Sequence, residues 1–409
     1  MCDNRHYISE APLSLNSVRR RVEAFLAANG LRLAPLDRYV VVTRDEDGDE
    51  ILAGGGLDGN VIKCVAVSES ARSEGLMNIL VSRLIVIARE EGRDSVKAFT
   101  KPENEGIFKS LGFALIASSP NAILMENGRG GLPEYRKYLE SLARPGRNGA
   151  IVMNANPFTK GHRYLVEQAA SQVDNLYVIV VKEDRSRFPY VERKAMIEAG
   201  CAGLDNVVVC EGSDYAISAA TFPTYFLKKL DDATDTQIAL DLDLFVNHIA
   251  KPLGVTVRFA GSEPEDALTR RYNELMAEIL PNFVEIPRLE QNGNPISATS
   301  LRRALDKGNL KEAMEYIPKS TVPYLVADMA ERALRLELDT TPKPGLVDRQ
   351  DNGAHKDMDY ALMSKSISAL RPYLTRLAVE SAKDIDPAKI KEIGIEAEKA
   401  MLKATGGVN

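Results

Sequence analysis

Two short stretches carry residue types that hold and polarise phosphate. The first, Met153-Asn-Ala-Asn-Pro-Phe-Thr-Lys-Gly-His162, places one of only four histidines directly after a glycine, where an apolar run gives way to an amphipathic one. Gly161 lets the backbone turn closely. His162 then falls in the first turn of a helix, where unpaired N–H groups and the positive end of the dipole attract anions. An imidazole there can donate to an oxygen of a nucleotide α-phosphate as charge builds on it, and Thr159 can add a hydroxyl donor. A histidine that only caps the helix start is the alternative left open. The second stretch, Pro295-Ile-Ser-Ala-Thr-Ser-Leu-Arg302, sets hydroxyls ahead of another helix. Ser297, Thr299 and Ser300 can cap its N–H groups or hold phosphate oxygens. Arg302 adds a fork-shaped cation for an outer phosphate, or a solvated charge.

Further candidates surround these two. In VKEDRSRFPYVER, Lys182 and Arg193 read as phosphate ligands or as surface charges. Phe188 and Tyr190 in the same loop read as packing residues more than as substrate contacts. Asp241 and Asp243 alternate with leucines in LDLDLF, which suits acids that face solvent. Gly261, Ser262 and Glu263 follow a buried run and could border a nucleotide.

The elements around these motifs suggest an α/β chain. Between residues 147 and 325 the strand candidates are nearly continuous apolar runs: Ala150–Met153, Leu176–Val181, Val207–Cys210, Val255–Ala260 and, more weakly, Phe283–Ile286. Helical patterns lie between them, at Arg163–Val173 and Val191–Ala199. Strands without alternation are buried on both faces, and such interleaving implies parallel crossovers. The expected architecture is a doubly wound sheet with its site at the strand C-terminal ends. Residues 1–145 give a mixed α/β pattern with a helix near Ser17–Asn29, strands at Tyr39–Thr43, Ile51–Ala53, Asn60–Val67 and Ser95–Thr100, and a helix over Gly75–Glu91. The run Ala143-Arg-Pro-Gly-Arg-Asn-Gly149 marks a boundary. From about residue 326 to 409 only helix and loop signals occur.

Composition narrows the function classes. A chain of 409 residues exceeds one ordinary core, and roughly 100–200 residues per domain suggests two or three. Hydrophobic and charged contents of 44% and 27% suit a globular protein in water. No apolar run approaches the roughly 20 residues of a membrane span, and the N-terminus lacks a signal-peptide core, so a cytoplasmic protein is expected. A net charge of −6, with no basic block longer than Arg19-Arg20-Arg21, argues against a nucleic-acid partner. Cys2, Cys64, Cys201 and Cys210 are scattered without a CxxC pair, so neither a zinc site nor a disulfide framework is expected.

The two phosphate-type motifs resemble those of the HxGH nucleotidyltransferase superfamily, with Thr159 in the first His position, and PISATSLR resembles its ISSTxxR motif. NANPFTKGHRYLVEQAA, the run from Ser213 to Phe226, Leu240–Phe245 and Phe259–Pro264 together resemble the citrate lyase ligase family. The resemblance implies a Rossmann-like catalytic domain over 147–325 that uses ATP and Mg2+. It implies acetylation of the thiol on a CoA-like prosthetic group of the citrate lyase acyl carrier, through acetyl-adenylate. Thr159, His162 and Arg302 would be catalytic. Asn156, Gly161, Lys182, Arg193, Gly261, Ser297, Thr299 and Ser300 would bind the nucleotide. No Mg2+ ligand is identifiable. An adenylyltransferase for a phosphopantetheine-like or nicotinamide mononucleotide-like acceptor is one alternative, and a non-catalytic scaffold is another.

Residues 1–145 resemble GNAT acetyltransferases at Val67–Met77, with Arg72 and Gly75 in the acyl-CoA loop pattern and Met77 where a small residue is usual. That implies binding of the prosthetic arm or a relic domain; a GNAT acetyltransferase with a degenerate nucleotide domain is a third alternative. Thr341–Arg349, Asn352–Asp359 and Ala404–Asn409 resemble the start of triphosphoribosyl-dephospho-CoA synthase, an all-helical family. Asp348, His355, Asp357 and Asp359 suit a metal–phosphate site there or a polar loop. The family continues beyond the last of these motifs, so an inactive or loosely packed segment, or a truncated bifunctional protein, is expected.

Overall fold

The computed structural model describes residues 6–45, 50–128, 131–182, 186–213, 215, 231–263, 266–291, 293–307, 309–340, 369–376, 379, 395–396 and 399. The three C-terminal motifs with Asp348, His355, Asp357 and Asp359, and most of the run from Ser213 to Phe226, lie outside them. The chain divides into two compact units, residues 1–151 with 173–177 and 212–287, and residues 152–172 with 178–211 and 288–409.

The first unit begins with β1 (Tyr7–Glu10), α1 (Asn16–Ala28), β2 (Arg38–Thr43), β3 (Ile51–Asp58), β4 (Val61–Val67), α2 (Leu76–Glu90), β5 (Ser95–Thr100), α3 (Glu105–Ser110), β6 (Ala114–Ser118), β7 (Ile123–Gly128) and α4 (Leu132–Leu142). The strands form one sheet in the order β1-β2-β3-β4-β5-β7-β6. Only β4 and β5 pair in parallel, and their register holds just two pairs, Val61↔Lys97 and Ile62↔Ala98. The core is the buried face of α2 (Leu76, Leu80, Leu84) against Val40, Leu52, Ile62 and Val96. β3 runs on through Gly54-Gly55-Gly56, beyond the Ile51–Ala53 expected from the sequence. Those glycines make room: a Cβ on Gly55 would stand 3.1–3.4 Å from Val65, Leu84 and Leu80, and one on Gly56 would stand 2.5 Å from the Arg38 carbonyl.

A second sheet contains β8 (Asn148–Met153), β9 (Asn175–Val180), β10 (Val207–Cys210), β11 (Val255–Gly261) and β12 (Phe283–Ile286), in the order β10-β9-β8-β11-β12. β11 pairs in parallel with both β8 and β12. Every residue of β9 is buried. Helices α5 (Lys160–Ala170), α6 (Tyr190–Cys201), α7 (Asp231–Leu244) and α9 (Ala267–Ile279) alternate with the strands; α7 continues as a π-helix at Phe245–Ala250 and the turn α8 (Lys251–Leu253). The strand order reverses at β8, and the loop after such a strand is where α/β sheets place ligands.

The LDLDLF run corrects its sequence reading. It is the end of α7, a helix packed on β6 and α9. Leu240, Leu242 and Leu244 are all buried. The two acids are half-buried and bonded within the fold: Asp241 accepts from the Tyr272 hydroxyl, and Asp243 accepts from the Ser118 N–H at 2.9 Å. A helix enclosed on several sides mimics the alternation of a strand.

The chain continues through the hairpin β13 (Glu290–Gln291) and β14 (Asn294–Pro295) to α10 (Ala298–Asp306), α11 (Leu310–Tyr316) and α12 (Val322–Thr340). Among the described residues no helix is long and apolar enough to cross a membrane.

Gly56→Ala is expected to destabilise the chain by about 1–3 kcal/mol through overpacking against β2, read as a lower urea midpoint at unchanged slope. Gly106→Ala in α3, where a Cβ meets nothing within 4 Å, is expected to gain about 0.5–1 kcal/mol.

Candidate active site

The turn after β8 is tight. Ala155 has φ +46, outside the usual L-residue range, and the Asn156–Pro157 peptide is cis. α5 then starts with a capping box. Thr159 Oγ1 accepts from the His162 N–H at 3.3 Å, and the Thr159 N–H donates to His162 Nδ1 at 3.0 Å. The Thr159 hydroxyl also lies 2.8 Å from Nδ1. Because the backbone N–H must donate, Nδ1 accepts, and the ring proton of the neutral imidazole sits on Nε2. Among the described residues nothing accepts from Nε2.

The ring is held on its face by Phe158, stacked at 5.7 Å between centroids. Phe158 is in turn fixed from beneath by Gly200, where a Cβ would come within 2.3 Å of it, and by Thr321, whose hydroxyl donates to the Phe158 carbonyl at 2.9 Å. Burial, then the charges of Arg288 and Arg302, push the imidazole down to about 4 from 6.5. His162 is therefore neutral at pH 7 and a pure donor through Nε2.

The second motif lies against the first. A Cβ on Gly161 would stand 2.8 Å from the Ile296 carbonyl, so this glycine is needed for close approach of α5 to the PISAT loop. Ser297 caps α10, accepting from the Ser300 N–H at 3.0 Å, and lies 2.9 Å from the Ser300 hydroxyl. Arg302 reaches back to the same turn: Nη1 donates to the Asn156 carbonyl at 2.6 Å and Nη2 to the Thr299 hydroxyl at 3.0 Å. Burial and the nearby Arg187 charge lower its affinity for the proton, and Asp306 partly offsets them.

Thr159, His162, Asn156, Gly161, Ser297, Thr299, Ser300 and Arg302 are thus brought together at the starts of two helices. Two expectations need revision in detail. Thr159 is 1% exposed and its hydroxyl is turned on His162, so it orients the imidazole and offers nothing to a phosphate. Arg193 is fully buried; Nε donates to the Phe188 carbonyl, and Nη1 to the carbonyls of Asn154 and Val181 and the side chain of Asn154. It ties together the ends of β8 and β9, and cannot reach a ligand in this arrangement. Gly261 ends β11, and its carbonyl accepts from Asn273 at 3.0 Å. Lys182 is exposed just after β9. Arg187 and Arg288 were missed. Arg187 sits five residues from the chosen Lys182 in a charge-rich loop, and Arg288 stands in no recognisable pattern.

Residues 148–325 match the family described as Citrate lyase ligase C-terminal domain, and residues 323–409 match the family described as ATP:dephospho-CoA triphosphoribosyl transferase. The citrate (pro-3S)-lyase ligase of Escherichia coli (strain K12) is 41% identical over 324 residues, covering 76% of this chain and 91% of that protein. The Klebsiella pneumoniae ligase is 41% identical over 318 residues, covering 75% and 92%. The chain belongs to the citrate lyase ligase family. As a member of that family it is an enzyme and a ligase. Its C-terminal part is also similar to the 2-(5''-triphosphoribosyl)-3'-dephosphocoenzyme-A synthase of Escherichia fergusonii, 44% identical over 92 residues, but covers only 30% of that protein. A GNAT-family acetyltransferase from Staphylococcus aureus MU50 aligns with 31% of the chain and 100% of its own at 13% identity and a TM-score of 0.26, too low to carry an assignment.

The depressed imidazole has a sign that can be checked. An unfolded histidine takes its proton near 6.5 and the folded one only near 4. Between those values the unfolded chain binds more protons, so stability falls as pH drops through the window and levels off on either side. NMR titration is expected to show the His162 ring neutral at pH 6, with its midpoint near 4, and His162→Gln is expected to remove that slope from stability.

Proposed function

We propose that this chain acetylates the thiol of the citrate lyase prosthetic group, consuming acetate and ATP and releasing AMP and pyrophosphate. The observation that carries this reading is the neutral, Nε2-protonated His162 beside Arg302, at the paired helix starts of α5 and α10. An acetate oxygen attacks the α-phosphorus; the new P–O bond forms as the bond to pyrophosphate breaks. His162 Nε2–H donates to the α-phosphate oxygen on which charge grows, and stays bonded to its own proton throughout. Arg302, with Arg288 and the N–H groups at the helix starts, balances the outer phosphates. Positioning and charge stabilisation suffice, so no protein nucleophile is needed. In the second step the prosthetic thiolate attacks the acyl carbon, the C–S bond forms, and AMP leaves with the electron pair of the C–O bond.

Among the described residues there is no group of three or more His, Cys, Asp or Glu able to hold a metal. Mg2+ fits this reading as an ion carried in on the triphosphate oxygens, where it would neutralise charge. We further read residues 1–145, 147–325 and 326–409 as three functional segments. The first would hold the prosthetic arm. Gly75, at φ +71, opens α2 in the loop with the acyl-CoA pattern, which supports that reading, while Met77 packs on the core.

His162→Ala is expected to lower acetate-dependent ATP–pyrophosphate exchange about 10²–10³-fold, the usual loss for one such donor, with the far-UV spectrum unchanged. Exchange that is indifferent to acetate but responds to 4'-phosphopantetheine would replace the ligase reading with the adenylyltransferase one. The acid limb of the wild-type rate is expected below pH 5, because His162 titrates near 4.

A further inference from the structure

The loop between β9 and α6 is held by a buried ionic cluster that the reaction scheme above does not use. Arg187, with its side chain 8% exposed, places Nε and Nη2 on one oxygen of Asp328 at 3.0 and 2.6 Å, while Nη1 reaches Asp306 at 2.8 Å. Asp328 is 2% exposed and belongs to α12. Its other oxygen accepts from Arg371 Nη1 at 3.3 Å, and Arg332 Nε approaches the first at 3.3 Å. Arg371 in turn grips both oxygens of Glu192 at 2.9 Å each and Glu331 at 2.7 Å, and Thr375 adds a bond to Glu192 at 3.1 Å. The guanidinium groups of Arg187 and Arg371 lie 5.9 and 5.5 Å from the ring of the fully buried Phe188.

Phe188 connects this cluster to the turn after β8. Its N–H donates to the Asn156 side chain at 3.1 Å, and its carbonyl accepts from Arg193. Asn156 is the residue whose carbonyl receives Arg302. A continuous path therefore runs Asp328–Arg187–Phe188–Asn156–Arg302. Its near end lies in the segment matching the ligase family, and Asp328 lies at residue 328, inside the 323–409 match alone. All of these residues belong to one compact unit.

We infer that Asp328 is a positioning residue for the adenylation step, acting through Arg187 to fix the Asn156 turn that receives Arg302. The inference rests on the ligase reading above. A carboxylate that served only to hold the fold would change stability without a selective effect on turnover. One that positions the site changes kcat, because displacement by about 1 Å can cost up to about 100-fold.

The test is a double-mutant cycle in the full-length chain, read as acetate-dependent ATP–pyrophosphate exchange. Asp328→Asn and Arg187→Gln are each expected to lower kcat about ten-fold or more with KM for ATP within two-fold. The double variant should fall no further, since two residues acting as one unit are not additive. Glu331→Gln removes another carboxylate from Arg371 without touching Arg187, and is expected to lower Tm while keeping kcat within two-fold. Should Asp328→Asn not fold, Arg187→Lys carries the test: it keeps the charge, but its single nitrogen cannot replace the three that reach Asp306 and Asp328, and it should lose as much kcat as Arg187→Gln. Wild-type kcat in Asp328→Asn, additive losses, or an equal loss in Glu331→Gln would each overturn the inference. A wild-type chain inert in exchange would instead fail the ligase reading on which it stands.

Discussion

The Thr159 N–H donates to Nδ1 of His162 at 3.0 Å, and that bond decides what the imidazole can do. A backbone amide can only donate, so it fixes the tautomer without help from any titrating group. The bond is local, made within the first turn of α5, and it survives any motion that leaves the helix start intact. It also makes the structural and the catalytic readings of His162 compatible: one nitrogen caps the helix, and the other is left to act. Protonation would break the cap and place a third positive charge beside Arg302 and Arg288. Burial and those two arginines oppose it together. A histidine kept neutral in this way suits charge stabilisation better than proton transfer, because above its titration near 4 it presents the Nε2–H with Nδ1 held by a group that does not titrate.

Everything near this ring serves to keep it still. Phe158 stacks on it, Gly200 and Thr321 fix Phe158, and Arg302 ties the preceding turn to the start of α10. Close approach of the two helix starts needs Gly161, since any side chain there would meet the Ile296 carbonyl. The charges of Arg302 and Arg288 both oppose a proton on His162, and Asp306 offsets part of the Arg302 charge. Arg187, close to Arg302, is balanced by Asp306 and Asp328, so its charge is accounted for within the fold.

Much of this was legible in the sequence where the governing interaction is short. Ser297 read as a possible helix cap because capping needs only three residues, and it is one; Thr159, read as a hydroxyl donor, also caps its helix. β9 read as a strand because burial on both faces leaves an unbroken apolar run, and β12, interrupted by the exposed Glu285, was the weaker candidate. Arg193 was misjudged because its acceptors, the carbonyls of Asn154 and Val181, are set by the pairing of β8 and β9 and have no side-chain signature. Asp241 and Asp243 were misjudged because an enclosed helix and a half-exposed strand can share one pattern of alternation. The Gly54–Gly56 run hid the second half of β3, since a glycine selected for tight packing looks the same as one selected for a turn. Arg187 was invisible for a related reason: its partners, Asp306 and Asp328, lie more than a hundred positions away.

The Arg187–Asp328–Arg371–Glu192 cluster explains why residues matched by two families share one compact unit. Buried ion pairs are poor sources of net stability, because desolvation offsets most of the attraction, yet breaking one by removing a partner is costly. Such a cluster therefore selects one arrangement more than it adds strength. An apolar contact between α12 and the Ser186–Pro189 loop would tolerate sliding by a fraction of a residue. A guanidinium that must satisfy Asp306 and Asp328 at once does not, and the loop it belongs to also carries the N–H that orients Asn156. Through that loop α12 is linked to the Asn156 turn, whose carbonyl receives Arg302.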